Sequence, residues 1–244
     1  MRDFKQEYEK RVAYIQNRLR DAGASGVVYG NSGGKDSALV GILCKAACEN
    51  TVGLLMPCAS GRNYGQDLED GQSLAKQFGI ETRFVDLTGI RELEIAALRD
   101  VCALNELAVA NIAPRLRMTT LYAVAASENR LVAGTGNRSE AYMGYFTKWG
   151  DGACDFNPIA DLTVTEIYAF LRFLDAPPAI MEKAPSAGLY DGQTDEGEMG
   201  FTYEELDSYL LTGEANPEIK KRIEALRAKS EHKRHPVPVC RVPA

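Results

Sequence analysis

The stretch from Gly30 to Ser37 constrains the fold of this chain more than any other. It reads Gly-Asn-Ser-Gly-Gly-Lys-Asp-Ser, follows an apolar and β-branched run at 26–29, and precedes an apolar helical run at 38–44. A strand, a loop of small residues and a helix in that order make an anion site, because glycines let the backbone close around oxygens and the first N–H groups of the helix favour negative charge. The sequence therefore predicts a phosphate-binding loop between a strand and a helix.

The spacing of this loop excludes one common phosphate site and implies a cation. A Walker loop reads Gly-x-x-x-x-Gly-Lys followed by Ser or Thr, and residues 30–37 do not. A carboxylate beside phosphates repels them unless a cation lies between, so Asp36 implies Mg²⁺ together with a nucleotide. The alternative is a glycine-rich connection without a ligand, which Ser32 and Ser37 beside the glycines disfavour.

Strand and helix signals alternate along the first two thirds of the chain. Short segments at 26–29, 51–56, 81–86 and 131–134 are predicted as four strands, each separated from the next by helical spacing. One helix is expected over 88–111, and Pro114, which suits a first helical position, is expected to open another that extends to about Asn129. Such alternation favours an α/β fold with a parallel sheet covered by helices on both faces, and ligands bind beyond the C-terminal ends of such strands.

Composition narrows the class of protein. The net charge of −6 argues against nucleic acid as the main partner. No apolar stretch approaches the roughly 18 residues that cross a membrane, and the charged first residues lack the apolar core of a signal peptide. We therefore expect no membrane contact and a cytoplasmic location. Six scattered cysteines lack metal-ligand spacing and are expected to be reduced thiols.

Two segments after the fourth predicted strand add chemistry to the loop. Glu140 could supply a second carboxylate to the cation at Asp36, although a Glu in a first helical turn also stabilises the helix by itself. Residues 144–152 read Gly-Tyr-Phe-Thr-Lys-Trp-Gly-Asp-Gly. Three aromatic residues and three glycines around Lys148 suit an aromatic-walled pocket with one cation.

With these motifs in order, the chain resembles ammonia-dependent NAD synthetases, a family of N-type ATP pyrophosphatases. The resemblance is carried by the segments 32–37, 111–118, 144–152, 183–189 and 231–234. The first motif is shared by several ATP pyrophosphatases, whereas the aromatic segment and the His-Lys pair at 232–233 are more particular to this family. The resemblance implies a Rossmann-like parallel sheet, adenine nucleotide alpha hydrolase-like, as one domain over residues 1–244.

The resemblance also implies a reaction and a role for each matching residue. The nicotinate carboxylate of deamido-NAD attacks the α-phosphorus of ATP, pyrophosphate leaves, and ammonia then displaces AMP to give NAD. The residues implied for ATP are Gly30, Asn31, Ser32, Gly33, Gly34, Lys35, Asp36, Ser37, Thr135 and Ser186. Those implied for deamido-NAD are Arg115, Lys148, Asp155, His232 and Lys233. Asp36 and Glu140 are the implied Mg²⁺ ligands, and Asp36 and Lys148 are the residues expected to act in catalysis.

One position departs from the family pattern. Many members carry a phosphate-contacting Lys where this chain has Val164. Lys35, where some members carry Gln, lies in the phosphate loop and is hypothesised to supply the missing positive charge. The family further implies a homodimer with the dinucleotide near the subunit interface, and the acidic segment 190–198 is expected to be a mobile loop that closes as a lid.

Three questions stay open at the level of sequence. Free ammonia is the expected nitrogen donor, since one α/β domain uses the 244 residues and no cysteine lies in an evident glutaminase arrangement. Another adenylating ATP pyrophosphatase, one that amidates a purine nucleotide or thiolates tRNA, is the nearest alternative. A nucleotide-binding regulator without turnover is the other, and Val164 is the feature that favours it.

Overall fold

Four parallel strands form the centre of the computed structural model, which describes residues 2–58, 64–183 and 195–240. The strand order is β3-β2-β1-β4, so that the first strand lies in the interior of the sheet between the second and the fourth. The strands are β1 (Gly26–Gly30), β2 (Thr51–Leu55), β3 (Glu81–Phe84) and β4 (Arg130–Ala133). The predicted α/β fold with a parallel sheet is confirmed.

Helices cover both faces of this sheet. The helices in the described residues are α1 (Phe4–Ala22), α2 (Lys35–Ala47), α3 (Gln66–Phe78), α4 (Thr88–Leu98), α5 (Glu106–Glu128), α6 (Arg138–Met143), α7 (Val164–Phe173), α8 (Pro178–Glu182), α9 (Asp195–Met199), α10 (Tyr203–Thr212) and α11 (Pro217–Lys229). A short 3-10 turn, Glu231–Lys233, follows α11. No helix in the described ranges is long and apolar enough to cross a membrane.

Successive strand residues face opposite cores. Val27 packs into the core shared with α1, α2, α3 and α7, and Val28 packs into the core shared with α5. A strand that is buried on both faces has to be apolar at consecutive positions, which is the pattern of β1. A third apolar cluster joins α6, α10 and α11 to the start of α7, where Val164 is 2% exposed.

The expected boundary at Pro114 is wrong. The region predicted as one helix over 88–111 is two helices, and Pro114 lies inside the second of them, α5. Asn105 starts α5 because its side chain accepts a hydrogen bond from the backbone N–H of Ala108, so a cap nine residues upstream determines the start. Pro114 is buried against Gly150, and this tertiary contact outweighs the loss of one helical hydrogen bond.

Two further expectations about the C-terminal third need correction. The segment 190–198 is expected to be a loop, but its described part, 195–198, belongs to helix α9, and residues 190–194 lie outside the described residues. The proline-rich stretch from residue 176 contains the short helix α8, with Pro178 in its first turn. Gly79 ends α3 with a φ of 64°, a left-handed conformation that glycine adopts without strain.

Candidate active site

The predicted phosphate loop connects β1 to α2 at the C-terminal edge of the sheet. Gly33 has a φ of 68°, and a Cβ atom there would lie 2.1 Å from the backbone oxygen of Asp67. Only glycine avoids both the left-handed strain and this collision. The loop therefore packs directly on the first turn of α3.

Hydrogen bonds within the loop hold its shape. Asn31 uses both ends of its amide: Oδ1 accepts from the backbone N–H of Gly33 at 3.2 Å, and Nδ2 donates to the backbone oxygen of Gly71 on α3 at 3.0 Å. The hydroxyl of Ser37 accepts from the backbone N–H of Ser32 at 3.3 Å and donates to the backbone oxygen of Gly34 at 3.0 Å. Small polar side chains thus order the loop before any anion arrives.

Asp36 and Glu140 lie together beside the loop. Asp36 is in the first turn of α2, and its Oδ1 accepts a hydrogen bond from Nδ2 of Asn137 at 3.0 Å. Asn137 follows β4 and caps α6, where Glu140 completes a capping box by accepting from the backbone N–H of Asn137 at 3.2 Å. Glu140 therefore stabilises its helix and also faces Asp36.

The ammonium group of Lys35 forms an ion pair with one of these two carboxylates. Its Nζ lies 2.8 Å from Oδ2 of Asp36, and its side chain is 7% exposed. Burial acts to lower the pKa of Lys35, but attraction to Asp36 and Glu140 outweighs burial and raises the pKa. Burial, together with repulsion from Asp36, raises the pKa of Glu140 to about 8. Deprotonation of Glu140 therefore gives these three side chains more negative than positive charge.

These carboxylates fit a cation that takes most of its ligands from elsewhere. No group of three or more His, Cys, Asp or Glu side chains in the described residues is arranged to hold a metal. Asp36 and Glu140 would supply two hard oxygen ligands. Mg²⁺ is commonly bound by one or two carboxylates together with waters and the phosphates of a nucleotide, so the donor set suits it.

Lys183 is a residue of this region that the sequence reasoning did not assign. Its Nζ lies 2.5 Å from Oδ1 of Asp67 and 2.8 Å from Oδ2 of Asp70, and it donates to the backbone oxygen of Gly33 at 3.4 Å. Its side chain is 15% exposed. Lys183 lies about 150 positions from the loop along the chain, and only the segment 183–189 of the family pattern pointed to it. We call residues 30–37, Glu140 and Lys183 the loop cluster.

A second group of cations lies around the aromatic segment. The Lys148 ammonium donates to the backbone oxygen of His232 at 3.0 Å and stacks 5.4 Å from the centre of the Trp149 ring. The Arg115 guanidinium on α5 donates to the backbone oxygen of Lys148 at 3.4 Å. These contacts bring together three predicted residues from α5, the aromatic segment and the 3-10 turn.

Lys233 joins the same group. Its Nζ donates to the backbone oxygens of Gly144 and Phe146, each at 2.7 Å, and lies 5.4 Å from the centre of the Phe146 ring. We call Arg115, Lys148, His232 and Lys233 the lysine–carbonyl cluster. A cavity of about 330 Å³ opens beside it, lined by Met143, Tyr145, Glu198, Met199, Leu226, Lys229, Ser230, His232 and Lys233.

The remaining predicted residues have different surroundings. Asp155 accepts hydrogen bonds from the backbone N–H of Val132 at 2.7 Å and from the Tyr122 hydroxyl at 3.2 Å, so it is bonded to β4 and α5. Thr135 lies two residues beyond β4, at the same sheet edge as the phosphate loop. Ser186 lies outside the described residues.

The parallel sheet, the loop at a helix N-terminus and the adjacent carboxylates define a phosphate-binding α/β protein. The NAD synthase family model matches residues 7–237. An ammonia-dependent NAD(+) synthetase from Carboxydothermus hydrogenoformans is 47% identical over 235 residues, covering 95% of this chain and 96% of the relative. This chain belongs to the NAD synthase family, which confirms the predicted resemblance and the predicted class of enzyme.

Solved structures of related enzymes superpose over nearly the whole chain. The structure of NMN synthetase from Francisella tularensis superposes with a TM-score of 0.94 and 35% sequence identity. The match covers 99% of this chain and 100% of the Francisella chain. An ammonia-dependent NAD synthetase from Campylobacter jejuni has a TM-score of 0.80 and 32% identity, covering 98% of this chain and 100% of its own.

Proposed function

We propose that this protein amidates deamido-NAD with ammonia at the expense of ATP, which is converted to AMP and pyrophosphate. The observation that carries this proposal is the phosphate loop with Asp36 and Glu140 beside it, in a chain whose matched relatives are named as ammonia-dependent NAD(+) synthetases. The reaction has two parts. The nicotinate carboxylate is first adenylated, and ammonia then attacks the activated carbonyl carbon.

We assign the loop cluster to ATP. The backbone N–H groups of residues 30–37 and the first turn of α2 favour the phosphates, with Thr135 and Ser186 as further contacts. Asp36 and Glu140 would hold Mg²⁺, which supplies charge stabilisation at the phosphate oxygens. Lys183 fixes the tip of the loop through the Gly33 carbonyl, so that the loop N–H groups keep their direction.

We assign the lysine–carbonyl cluster to the nicotinate-bearing substrate. A carboxylate that approaches a triphosphate meets strong repulsion, and a fixed ammonium group lowers it. Lys148 is suited to this role because its hydrogen bond to His232 goes to a neutral carbonyl oxygen, which orients the ammonium without neutralising it. Arg115, Asp155, His232 and Lys233 are proposed to bind the rest of the substrate.

Ammonia as the nitrogen donor agrees with the state of the cysteines. Burial raises the pKa of the thiols of Cys44, Cys58 and Cys154. A glutaminase that uses cysteine needs a thiolate, and a raised pKa disfavours it. Glutamine that supports turnover as well as ammonium does would contradict this assignment.

The central experiment is a product assay. With ATP, Mg²⁺, ammonium and deamido-NAD, the protein is expected to form NAD, AMP and pyrophosphate. Asp36→Asn is expected to lower kcat/KM by about 10³-fold, because a cation that stabilises the transferred phosphoryl group loses a ligand. Asp21→Asn, at an exposed carboxylate paired with Arg18, is the matched control. ADP and phosphate as products, or no amide product, would refute the proposal.

A second candidate function rests on the structural comparison. The TM-score to the NMN synthetase, 0.94, exceeds the 0.80 of the Campylobacter enzyme at similar identity. An enzyme that amidates the mononucleotide would use the same adenylation on a substrate without the AMP half. The dinucleotide is proposed first because the 47% identical relative is named for NAD synthesis.

A substrate comparison separates the two candidates. Binding energy from the AMP half should raise kcat/KM for deamido-NAD at least about tenfold above that for nicotinic acid mononucleotide. A ratio reversed in favour of the mononucleotide would establish the second candidate. Both outcomes leave the ATP chemistry of the loop cluster unchanged.

We also propose that the protein is a homodimer, a single domain over residues 1–244, and cytoplasmic. None of the eleven residues of α4 is buried by the described part of the chain. Leu93 on α4 is 73% exposed, and Leu107 at the start of the neighbouring α5 is 69% exposed. Apolar side chains grouped on adjacent helices are typical of a subunit interface, and a second copy of the chain is the occupant that the family implies.

The oligomeric state tests this interface. Analytical ultracentrifugation is expected to give twice the mass of 26.7 kDa for the unmodified chain. The double substitution Leu93→Glu with Leu107→Glu should give a monomer, because two charges at the interface would be desolvated without partners. Leu211→Glu on α10, where the side chain is 55% exposed, should remain dimeric. A dimer that survives the double substitution would exclude this face.

A further inference from the structure

The Lys35 ammonium pairs with Asp36, one of the two carboxylates assigned to the cation. Its Nζ is 2.8 Å from Oδ2 of Asp36, it attracts Glu140, and it lies 5.9 Å from the centre of the Tyr203 ring. Tyr203 is 3% exposed, and its hydroxyl donates a hydrogen bond to Asp195 on α9. The ammonium is therefore enclosed by elements from both ends of the chain.

This is an unfavourable place for a lysine unless the carboxylates hold it there. Lys35 is the first residue of α2, where the helix dipole disfavours a positive charge. A buried ammonium group also loses its hydration, which disfavours the charged form. In the described residues, attraction to Asp36 and Glu140 offsets these two effects.

Both oxygens of Asp36 are engaged in this arrangement. Oδ1 accepts from the amide of Asn137 and Oδ2 accepts from Lys35. A divalent cation that binds Asp36 through Oδ2 therefore competes with the ammonium group for the same oxygen. Two positive charges within a few ångström repel each other strongly in a buried site.

We propose that Lys35 is the resident counter-ion of the metal-site carboxylates, and that a divalent cation has to displace its ammonium group from Asp36 in order to bind. The proposal rests on the assignment of Asp36 and Glu140 as metal ligands. Because the ammonium competes for Asp36, the affinity of the site for a divalent cation is low until nucleotide phosphates supply further oxygen ligands. The displaced ammonium then becomes available to those phosphates, the role that the sequence predicts for Lys35.

Mn²⁺ binding to the nucleotide-free protein tests the proposal, since Mn²⁺ takes the same oxygen ligands and is visible by electron paramagnetic resonance. Lys35→Gln is expected to bind Mn²⁺ at least about tenfold more tightly than the unmodified chain, because the competing charge is removed. Lys35→Arg keeps the charge and should stay within about threefold of the unmodified chain. Lys45→Gln, on the same helix and paired with Glu49 at the surface, should not change the affinity.

The outcomes separate the inference from the metal site itself. Unchanged or weaker Mn²⁺ binding in Lys35→Gln, or equal tightening in Lys35→Arg, overturns the role of Lys35. Mn²⁺ binding that Asp36→Asn does not reduce overturns the metal site and the inference together. Lys35→Met, which keeps the length of the alkyl chain, replaces Lys35→Gln if that variant does not fold, and the same tightening is expected.

Discussion

In the loop cluster, lysine ammonium groups pair with carboxylates, whereas in the lysine–carbonyl cluster they are bonded to backbone oxygens. Lys35 and Lys183 contact Asp36, Asp67 and Asp70. In the part of the chain that the structure describes, the hydrogen bonds of Lys148 and Lys233 go to carbonyl groups. An ion pair neutralises a lysine, but a carbonyl orients it and leaves its charge available.

This difference suits two kinds of ligand. A nucleotide that arrives with a cation needs negative side chains and neutral N–H donors, and the loop cluster supplies both. A carboxylate substrate needs exposed positive charge, and the lysine–carbonyl cluster supplies that. The predictions below test whether the charge state of each lysine, rather than its packing, explains the contrast.

Among the variants that test this contrast, the largest effect is expected at Lys148. Lys148→Met keeps the alkyl chain but removes the unneutralised charge, and should lower kcat/KM for deamido-NAD by about 10²-fold. The KM for ATP should stay unchanged, since the loop cluster is untouched. Lys220→Met is the matched control, because Lys220 also stacks on an aromatic ring, that of Tyr209 at 5.6 Å, but lies outside both clusters. An equal loss in that control would show that the effect does not depend on the position of Lys148 in the lysine–carbonyl cluster.

Substitution of Lys183 should instead lower the stability of the fold and the affinity for ATP. Lys183→Met leaves Asp67 and Asp70 without their ammonium partner and should lower the free energy of unfolding by about 3 kcal/mol, measured with urea. The KM for ATP should rise about tenfold, because the Gly33 carbonyl loses its donor and the loop can shift. Lys183→Arg should restore most of the ATP affinity. A loss of stability without any change in the KM for ATP would mean that Lys183 has only a structural role.

A smaller effect concerns pH and the excess of negative charge in the loop cluster. The pKa of Glu140 is raised from 4.5 to about 8 by burial and Asp36, so the folded protein binds more protons than the unfolded chain between these values. Stability without Mg²⁺ should therefore be greatest below pH 4.5 for this group and fall as pH rises toward 8, by at most about 1.4 kcal/mol per pH unit.

Unfolding measured in a chelator at several pH values checks this slope. Glu140→Gln should flatten it, and saturating Mg²⁺ should also flatten it by favouring the charged form. A slope that is the same in Glu140→Gln would assign the pH dependence to another group.

The smallest effect is expected at Trp149. Its ring contacts the Lys148 ammonium but is 61% exposed, and a cation–π contact at such a site contributes about 0.5–1 kcal/mol. Trp149→Leu should therefore raise the KM for deamido-NAD only about two- to fivefold. Tyr209→Leu, beneath Lys220, should leave it unchanged. A loss as large as that of Lys148→Met would mean that the ring, and not the charge, binds the substrate.

The sequence predicted the parts of the molecule that depend on short-range pattern. The strand, glycine loop and helix at 26–47 depend on neighbours within a few residues, and they are confirmed. The helix start at Pro114 was predicted wrongly because Asn105 caps the helix nine residues upstream and Pro114 packs against Gly150, which is distant in sequence. The assignment of individual site residues stays a prediction, although the structure brings Arg115, Lys148 and His232 together.

By itself the sequence determined the order of strands and helices, the position of the anion loop and the family, because backbone preference and motif spacing are local. Tertiary structure decided which partner each charged side chain takes. Lys35 in the loop pairs with Asp36 and is attracted by Glu140. Lys183, which is distant in sequence, donates a hydrogen bond to the loop. Val164, where the family resemblance predicts a lysine, is packed in an apolar cluster. The energy of a buried charge depends on the groups that surround it in space, and local spacing does not contain that information.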